Sequence, residues 1–133
     1  MKLFICIDKN GGLTFGGRRL SSDSVVRKKI FEIIKKKSLF VNSFSAQQFE
    51  EGSRLTVCED FITKMGKEDF CFIENIEINT DLFEEIYVFN WNRNYPADKY
   101  FNIDLKTSGY KKISAENFTG TSHDKITLTH YGR

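Results

Sequence analysis

Short apolar runs alternate with glycine-rich or polar turns along the first part of the chain. Residues 2–7 are β-prone and precede the turn formers Asn10-Gly11-Gly12, which predicts a strand followed by a tight turn. A helix is predicted next, because Ser21 and Ser22 are N-cap types. Its apolar stripe recurs at helical spacing: Val26, Ile30, Ile33 and Ile34.

Further strands and two short helices are predicted in the rest of the chain. The predicted strands cover residues 39–41, 70–73, 86–89, 100–105, 109–113 and 125–131. Short helices are predicted between Ser45 and Gly52 and over residues 59–65. Strands and helices alternate early, and strands follow one another late. This order indicates an α/β fold with a mixed sheet and helices packed against it.

Composition and charge narrow the class of protein. With 133 residues, 40 % hydrophobic and 29 % charged, the chain predicts one globular domain over residues 1–133 rather than a disordered segment. Thirteen Phe and five Tyr predict an aromatic core. A net charge of +2 supplies no global field, so nucleic acid is not an expected partner. No apolar run suits a signal peptide or a membrane span, so we expect no membrane association and a cytoplasmic location.

Cysteine and histidine offer little for metal or disulfide chemistry. Cys6, Cys58 and Cys71 form no CxxC pair, and their odd number argues against a disulfide framework. The two histidines, His123 and His130, occur in no zinc-hydrolase motif, so no metal site is expected.

Six segments have counterparts, in the same order, in one known family. They are residues 3–8, Leu20-Ser21-Ser22-Asp23, Glu85-Ile86-Tyr87-Val88, Ala97-Asp98-Lys99-Tyr100-Phe101, residues 109–114 and residues 122–133. Their order resembles the first strand, the L-P-x-D, K-x-Y-L, G-D-T-x-F-P and W-x-x-V-S segments and the closing strand of dihydrofolate reductase. The resemblance implies a mostly parallel sheet with a C-terminal antiparallel hairpin. It also implies a catalytic carboxylate at Asp23 and a ligand site lined by Ile5, Cys6 and Ser45.

The family's cofactor residues are mostly replaced. Where the family has a strand ending in Gly-Arg followed by Thr, this chain has Asn42-Ser43-Phe44-Ser45, which keeps only the hydroxyl. The glycine-rich turn that admits the pyrophosphate reads Glu74-Asn75-Ile76-Glu77, and acidic side chains oppose a phosphate there. A middle segment of the family also has no counterpart between Gly52 and Val57. We therefore expect no NADPH and no other cofactor.

The pteridine side changes in a different way. Arg18 and Arg27 stand where the family has aromatic side chains, and Arg19 is adjacent. One interpretation is a site for a small anionic ligand, with Asp23 as acid or base and the three arginines as anion contacts. The alternative is that Asp23 only occupies the first turn of the helix, where the helix dipole favours a carboxylate.

Two further clusters have competing interpretations. Trp91, Arg93 and Tyr95 share a period of two, which suits a surface that stacks bases or binds a partner. Alternatively, Trp91 packs in the core and Arg93 covers it. Ser122, His123 and Asp124 contain the residue types of a catalytic triad, but adjacent residues are better explained by turn polarity.

Three hypotheses for function follow. The first is a non-catalytic binding or regulatory protein on a reduced dihydrofolate reductase-like scaffold. The second is a small-molecule enzyme or binder that uses the former pteridine pocket for an anionic ligand. The third is an aberrant dihydrofolate reductase. The oligomeric state, the ligand and the pathway do not follow from these patterns.

Overall fold

The computed structural model describes residues 1–133 and contains ten strands and three α-helices. The strands are β1 (Lys2–Ile7), β2 (Gly12–Phe15), β3 (Arg18–Arg19), β4 (Leu39–Val41), β5 (Leu55–Val57), β6 (Phe70–Phe72), β7 (Glu85–Asn90), β8 (Lys99–Tyr100), β9 (Lys111–Phe118) and β10 (Ile126–Gly132). The helices are α1 (Ser24–Ile34), α2 (Ser43–Ala46) and α3 (Phe61–Lys64). None of these helices has the length and apolar character needed to cross a membrane.

Seven strands form one sheet in the order β5-β4-β6-β1-β7-β10-β9. β1 pairs in parallel with β6 and β7, and β4 pairs in parallel with β5 and β6. β10 pairs antiparallel with β7 and β9. The α/β fold with a mixed, mostly parallel sheet and a C-terminal hairpin is thus confirmed. Because β4, β6, β1 and β7 run in one direction, their carboxyl ends meet at one border of the sheet, here called the carboxyl edge.

Helix α1 covers one face of the sheet through its apolar stripe. Val26, Ile30 and Ile34 are buried against a cluster that includes Phe4, Phe72, Phe89 and Trp91. The stripe was predicted, but the N-cap was not, because Asp23 caps the helix in place of Ser21 or Ser22. Its extended backbone lets a carboxylate oxygen accept the Val25 N–H at 2.9 Å.

The opposite face is covered mainly by loops and the short helix α3. Phe61, Phe83, Leu105 and Tyr110 are buried there. The Tyr110 hydroxyl donates to the Thr80 carbonyl at 2.6 Å and so fastens the loop after β8 to the turn before β7. The aromatic core predicted from composition is present on both faces.

Several boundaries differ from the predicted ones. β2 and β3 form an unpredicted hairpin, closed by Gly16 and Gly17 at φ 57° and 76°, values that suit glycine in a two-residue turn. The strand predicted over residues 100–105 shortens to β8, which pairs with β2 in a separate three-stranded sheet of order β3-β2-β8. After Tyr100 the chain packs on the loop-covered face of the large sheet. β9 extends to Phe118 and is an edge strand of the seven-stranded sheet. Its pairing with β10 has a bulge at His130 and Tyr131.

Candidate functional site

Asp23 joins the start of α1 to the loop between β9 and β10. Its carboxylate accepts the backbone N–H groups of Thr121 at 3.0 Å and Ser122 at 2.9 Å, besides that of Val25. The side chain is fully buried. Burial alone raises the pKa of a carboxyl group, but here the N–H groups of Ser122 and Thr121 outweigh it and hold the pKa of Asp23 well below its usual range. The group is therefore a fixed anion that holds two distant segments together.

His123 shares this buried anion and connects it to two hydroxyl groups. Its Nδ1 lies 3.0 Å from Asp23 Oδ2, and its side chain is 1 % exposed. Since an ionised carboxylate only accepts, Nδ1 carries a proton, and in the neutral imidazole Nε2 is then the acceptor. Ser21 Oγ lies 3.0 Å from Nε2, and the Tyr95 hydroxyl lies 3.1 Å from the same atom. The order hydroxyl, imidazole, carboxylate is that of a catalytic triad, although Asp124 has no part in it.

Trp91 and Tyr95 belong to the wall of this cluster. The Trp91 ring stacks on His123 with centroids 4.5 Å apart, and Trp91 is only 3 % exposed. Asn92 has φ 58°, which interrupts the period of two after β7. Trp91 therefore packs in the core, Tyr95 is half-buried, and Arg93 alone is exposed. The three residues named for a partner surface do not share one face.

Arg19 and Glu74 form an ion pair at the carboxyl edge: Arg19 belongs to β3, and Glu74 follows β6. Arg19 Nε lies 3.0 Å from Glu74 Oε2, and its Nη2 lies 3.1 Å from Oε1. The same Nη2 donates to the Phe44 carbonyl at 2.9 Å, and the guanidinium lies over the Phe44 ring. Glu74 is buried, and one bidentate partner neutralises it. This ion pair was not predicted, because 55 residues separate its members.

Ile5 and Cys6 lie on opposite faces of β1, so only one of them approaches the Arg19–Glu74 pair. Ile5 is fully buried in the loop-covered face. Cys6 packs against the α1 face, where burial raises the pKa of its thiol and the Glu74 charge adds to that rise. A raised pKa disfavours the thiolate, which is the reactive form of cysteine.

Ser45 lies in α2 beside the carboxyl edge. It is fully buried, and its hydroxyl has no hydrogen-bond partner, whereas its backbone N–H donates to Asn42 Oδ1 at 3.0 Å. Asn42 in turn donates to Asn75 at 2.9 Å. Polar side chains at this edge mostly bind each other.

The three arginines proposed as anion contacts do not converge on Asp23. Arg18 is exposed and borders a shallow cleft with Tyr95 and Pro96. Arg19 is held by Glu74. Arg27 lines a separate cleft with Lys28 and Glu50. No group of three or more His, Cys, Asp and Glu side chains is placed to hold a metal ion.

Comparison with known proteins supports the fold and leaves the chemistry open. A solved dihydrofolate reductase from Enterococcus faecalis, in complex with NADP(H) and RAB-propyl, superimposes with a TM-score of 0.66. The match covers 99 % of this chain and 95 % of that one at 11 % identity. The chain has a dihydrofolate reductase-like fold. No protein-family model matches it, and no curated protein matches its sequence. At this identity the likeness extends to the scaffold alone.

For His123 the sequence favoured turn polarity over a triad of adjacent residues, and the shortest contacts of its ring are with Asp23 and Ser21, far along the chain. These contacts cross 100 and 102 positions, and no local pattern reports such a pairing. The role of Asp23 as acid or base stays a prediction. Its contacts suit the alternative, in which the carboxylate stabilises the start of α1 and the β9–β10 loop.

Proposed function

We propose that this protein is a non-catalytic binding or regulatory module on a reduced dihydrofolate reductase-like scaffold. One observation carries the proposal: Arg19, Glu74 and Phe44 occupy the carboxyl edge of the sheet. Ligands of open α/β sheets bind in the crevice outside the carboxyl ends of the strands. In this chain that crevice holds an internal ion pair.

Opening the crevice for a reductase ligand carries a large cost. Glu74 is buried, so moving Arg19 aside leaves an uncompensated carboxylate. Breaking a buried pair in this way costs about 3–5 kcal/mol when both members are fully desolvated. Arg19 is 22 % exposed, so the cost here is nearer the lower end of that range. A phosphate arriving at the end of β6 would also have to compete with the Glu74 carboxylate for Arg19, which supports the expectation that NADPH does not bind.

A ligand screen tests this proposal. Purified protein is heated with NADPH, with dihydrofolate and with both, and NADPH absorbance is followed in a parallel assay. We expect no oxidation of NADPH and no rise in Tm that depends on residues at the end of β6, because a ligand bound in the crevice must raise the apparent stability of the folded state through contacts there. Stabilisation by NADPH that disappears when Asn75 is replaced but persists in Glu77→Gln, an exposed neighbour, would overturn the proposal.

A second candidate function follows from the Ser21–His123–Asp23 geometry. In it Ser21 Oγ attacks the carbonyl carbon of an ester, and its proton passes to His123 Nε2. His123 then protonates the departing alkoxide, and water hydrolyses the acyl-serine. Both distances in the relay are 3.0 Å. Tyr95 competes for the same Nε2, and Asp23 is saturated with N–H donors, which is why this function ranks second.

Covalent labelling separates the two candidates. A fluorophosphonate probe forms an adduct with an activated serine and ignores an ordinary one. The hydrolase candidate requires a label on Ser21 that is lost in Ser21→Ala and His123→Asn and retained in Ser22→Ala, the exposed neighbouring serine. Absence of label from folded wild-type protein eliminates it and leaves the binding module.

A further inference from the structure

A cationic cavity is lined in part by Trp91, the residue whose ring stacks on His123. It has a volume of about 370 Å³ and is lined by Lys9, Trp91, Asn92, Arg93, Asp124 and Lys125. Lys9 follows β1, Arg93 follows β7, and Lys125 precedes β10. β1 and β7 are parallel neighbours, so the cavity opens at the carboxyl edge, away from the Arg19–Glu74 pair.

The charge of this cavity is not compensated within the protein. Lys9, Arg93 and Lys125 are exposed, and none of them forms an ion pair. Asp124 is the one acidic side chain of the lining. A surplus of two positive charges therefore surrounds the cavity. A phosphate monoester carries about −1.5 to −2 charges at neutral pH, which matches that surplus.

The backbone segments that carry the three cations are hydrogen-bonded to one another. Asn92 adopts φ 58°, a left-handed conformation that asparagine tolerates better than most residues. Its side-chain amide donates to the Lys125 carbonyl at 3.1 Å and to Thr127 Oγ1 at 2.9 Å. Lys9 N–H donates to the Arg93 carbonyl at 3.0 Å. These bonds tie the three cation-bearing segments together, and local strain of this kind concentrates at ligand sites.

The other clefts with cations lack this combination. The cleft beside α1 is lined by Arg27, Lys28 and Glu50 and carries a surplus of one charge. The cleft bordered by Arg18 and Arg19 has its second arginine neutralised by Glu74. Neither contains a side chain that bridges separate strands at a positive φ.

We propose that the cavity between Lys9, Arg93 and Lys125 binds a small molecule through a phosphate group. Arg93 grips two phosphate oxygens with its planar fork, and the two lysines supply point charges from the flanks. The volume leaves room for a sugar or similar body beside the phosphate. This inference rests on the proposed function, since it names the class of ligand that the binding module recognises.

Calorimetry and thermal shift with two probes test the proposal. The probes are inorganic phosphate and glucose 6-phosphate, each compared with potassium chloride at equal ionic strength. We expect both probes to raise the Tm, by roughly 3 °C or more at saturating concentration. A larger effect of glucose 6-phosphate supports a phosphorylated metabolite, and equal effects support recognition of the phosphate alone.

Matched variants locate the effect. Arg93→Gln/Lys125→Gln is expected to weaken binding at least about tenfold, because each charged contact to phosphate is worth more than a neutral one. Arg27→Gln/Lys28→Gln removes the same charge from α1 and is expected to bind as wild type. Equal loss in both variants means attraction to overall charge and overturns the proposal. So does the absence of any Tm shift or heat with wild-type protein.

These outcomes are independent of those that test the proposed function. Failure of phosphate binding, with NADPH also inert, removes this site and leaves a binding module with another ligand. NADPH binding that survives Arg93→Gln/Lys125→Gln removes the proposed function. Backbone amide shifts at residues 9, 92–93 and 124–125 on addition of glucose 6-phosphate place the ligand directly, and shifts confined to other residues exclude the cavity.

Discussion

His123 Nδ1 lies 3.0 Å from Asp23 Oδ2, although 100 positions separate the two residues in the chain. Around this contact the start of α1, the segment after β7 and the β9–β10 loop meet in the interior. The carboxylate serves simultaneously as helix cap, loop anchor and imidazole partner. Its removal therefore affects three parts of the fold at once.

Asp23→Asn is expected to lower the free energy of unfolding by at least about 3 kcal/mol. An amide keeps one acceptor oxygen, so its NH2 group must face either the Thr121 N–H or the Ser122 N–H, and it lacks the charge that His123 contacts. Urea titration followed by circular dichroism measures the change. Asp124→Asn, at an exposed position next to His123, is the control and is expected within about 0.5 kcal/mol of wild type.

Stability is expected to fall in acid because of the same carboxylate. The pKa of Asp23 in the folded protein lies below its ordinary value of 3.8, so the unfolded chain binds the extra proton first. The contribution is complete well above pH 4 and is lost progressively as the pH falls from there towards the folded pKa. Urea midpoints between pH 7 and pH 2 test this.

The comparison with Asp23→Asn isolates the residue from other acids. Glu84 and Asp60 also have lowered pKa values, so wild-type acid sensitivity has several sources. The variant is expected to lose less stability than wild type over the acidic range. Parallel curves for the two proteins would show that Asp23 has an ordinary pKa in the folded state.

The Arg19–Glu74 pair is expected to show strong coupling in a double-mutant cycle. Either Arg19→Met or Glu74→Leu alone leaves a charge without its partner and is expected to cost roughly 2 kcal/mol or more. The double variant is expected to recover much of that loss, because two apolar side chains suit the buried position next to Phe44.

A surface pair provides the reference for that cycle. Lys2 and Glu68 lie 3.3 Å apart, with Glu68 71 % exposed, so their coupling is expected below about 1 kcal/mol. Equal coupling energies in the two pairs would mean that solvent reaches Arg19 and Glu74 freely. The crevice would then be open, and the argument for a binding module would lose its main support.

Gly120→Ala is expected to destabilise the protein by about 1–3 kcal/mol through overpacking. A Cβ at Gly120 would overlap the Asp23 carboxylate, which cannot move without releasing the Thr121 and Ser122 N–H groups. Thermal unfolding measures the loss. Gly66→Ala is the matched control, because its Cβ would meet only Asp69 at 3.4 Å, and a smaller change is expected there.

The parts of the fold that depend on local pattern were predictable. The stripe of α1 and the strands β4 and β6 follow from runs of apolar residues whose spacing records the face they bury. The strand predicted over residues 100–105 was wrong beyond Tyr100. Phe101 and Leu105 are apolar because they pack on the loop-covered face of the sheet, and not because they pair with a neighbouring strand. The mixed sheet was also predicted, from the order of the elements together with the family resemblance.

The site depended on contacts that no local pattern contains. Asp23 was identified from the sequence, but its contact with His123 could not be predicted without knowing how β10 enters the sheet. Glu74 was recognised as unfavourable for a phosphate, while its partner Arg19 was assigned to an anion. Whether an arginine such as Arg19 is available to bind an anion depends on an acidic side chain far along the chain, and that pairing exists only in the folded protein.

The position of β10 has a consequence for synthesis of the protein. β10 lies between β7 and β9 and brings the Thr121 and Ser122 N–H groups to Asp23. On the ribosome, α1 therefore emerges early, but its capping residue Asp23 lacks the Thr121 and Ser122 N–H groups until residues beyond 120 have left the exit tunnel. Until then one edge of β7 has no strand to pair with. We expect the nascent chain to remain loosely ordered through most of translation and to fold cooperatively once the hairpin arrives.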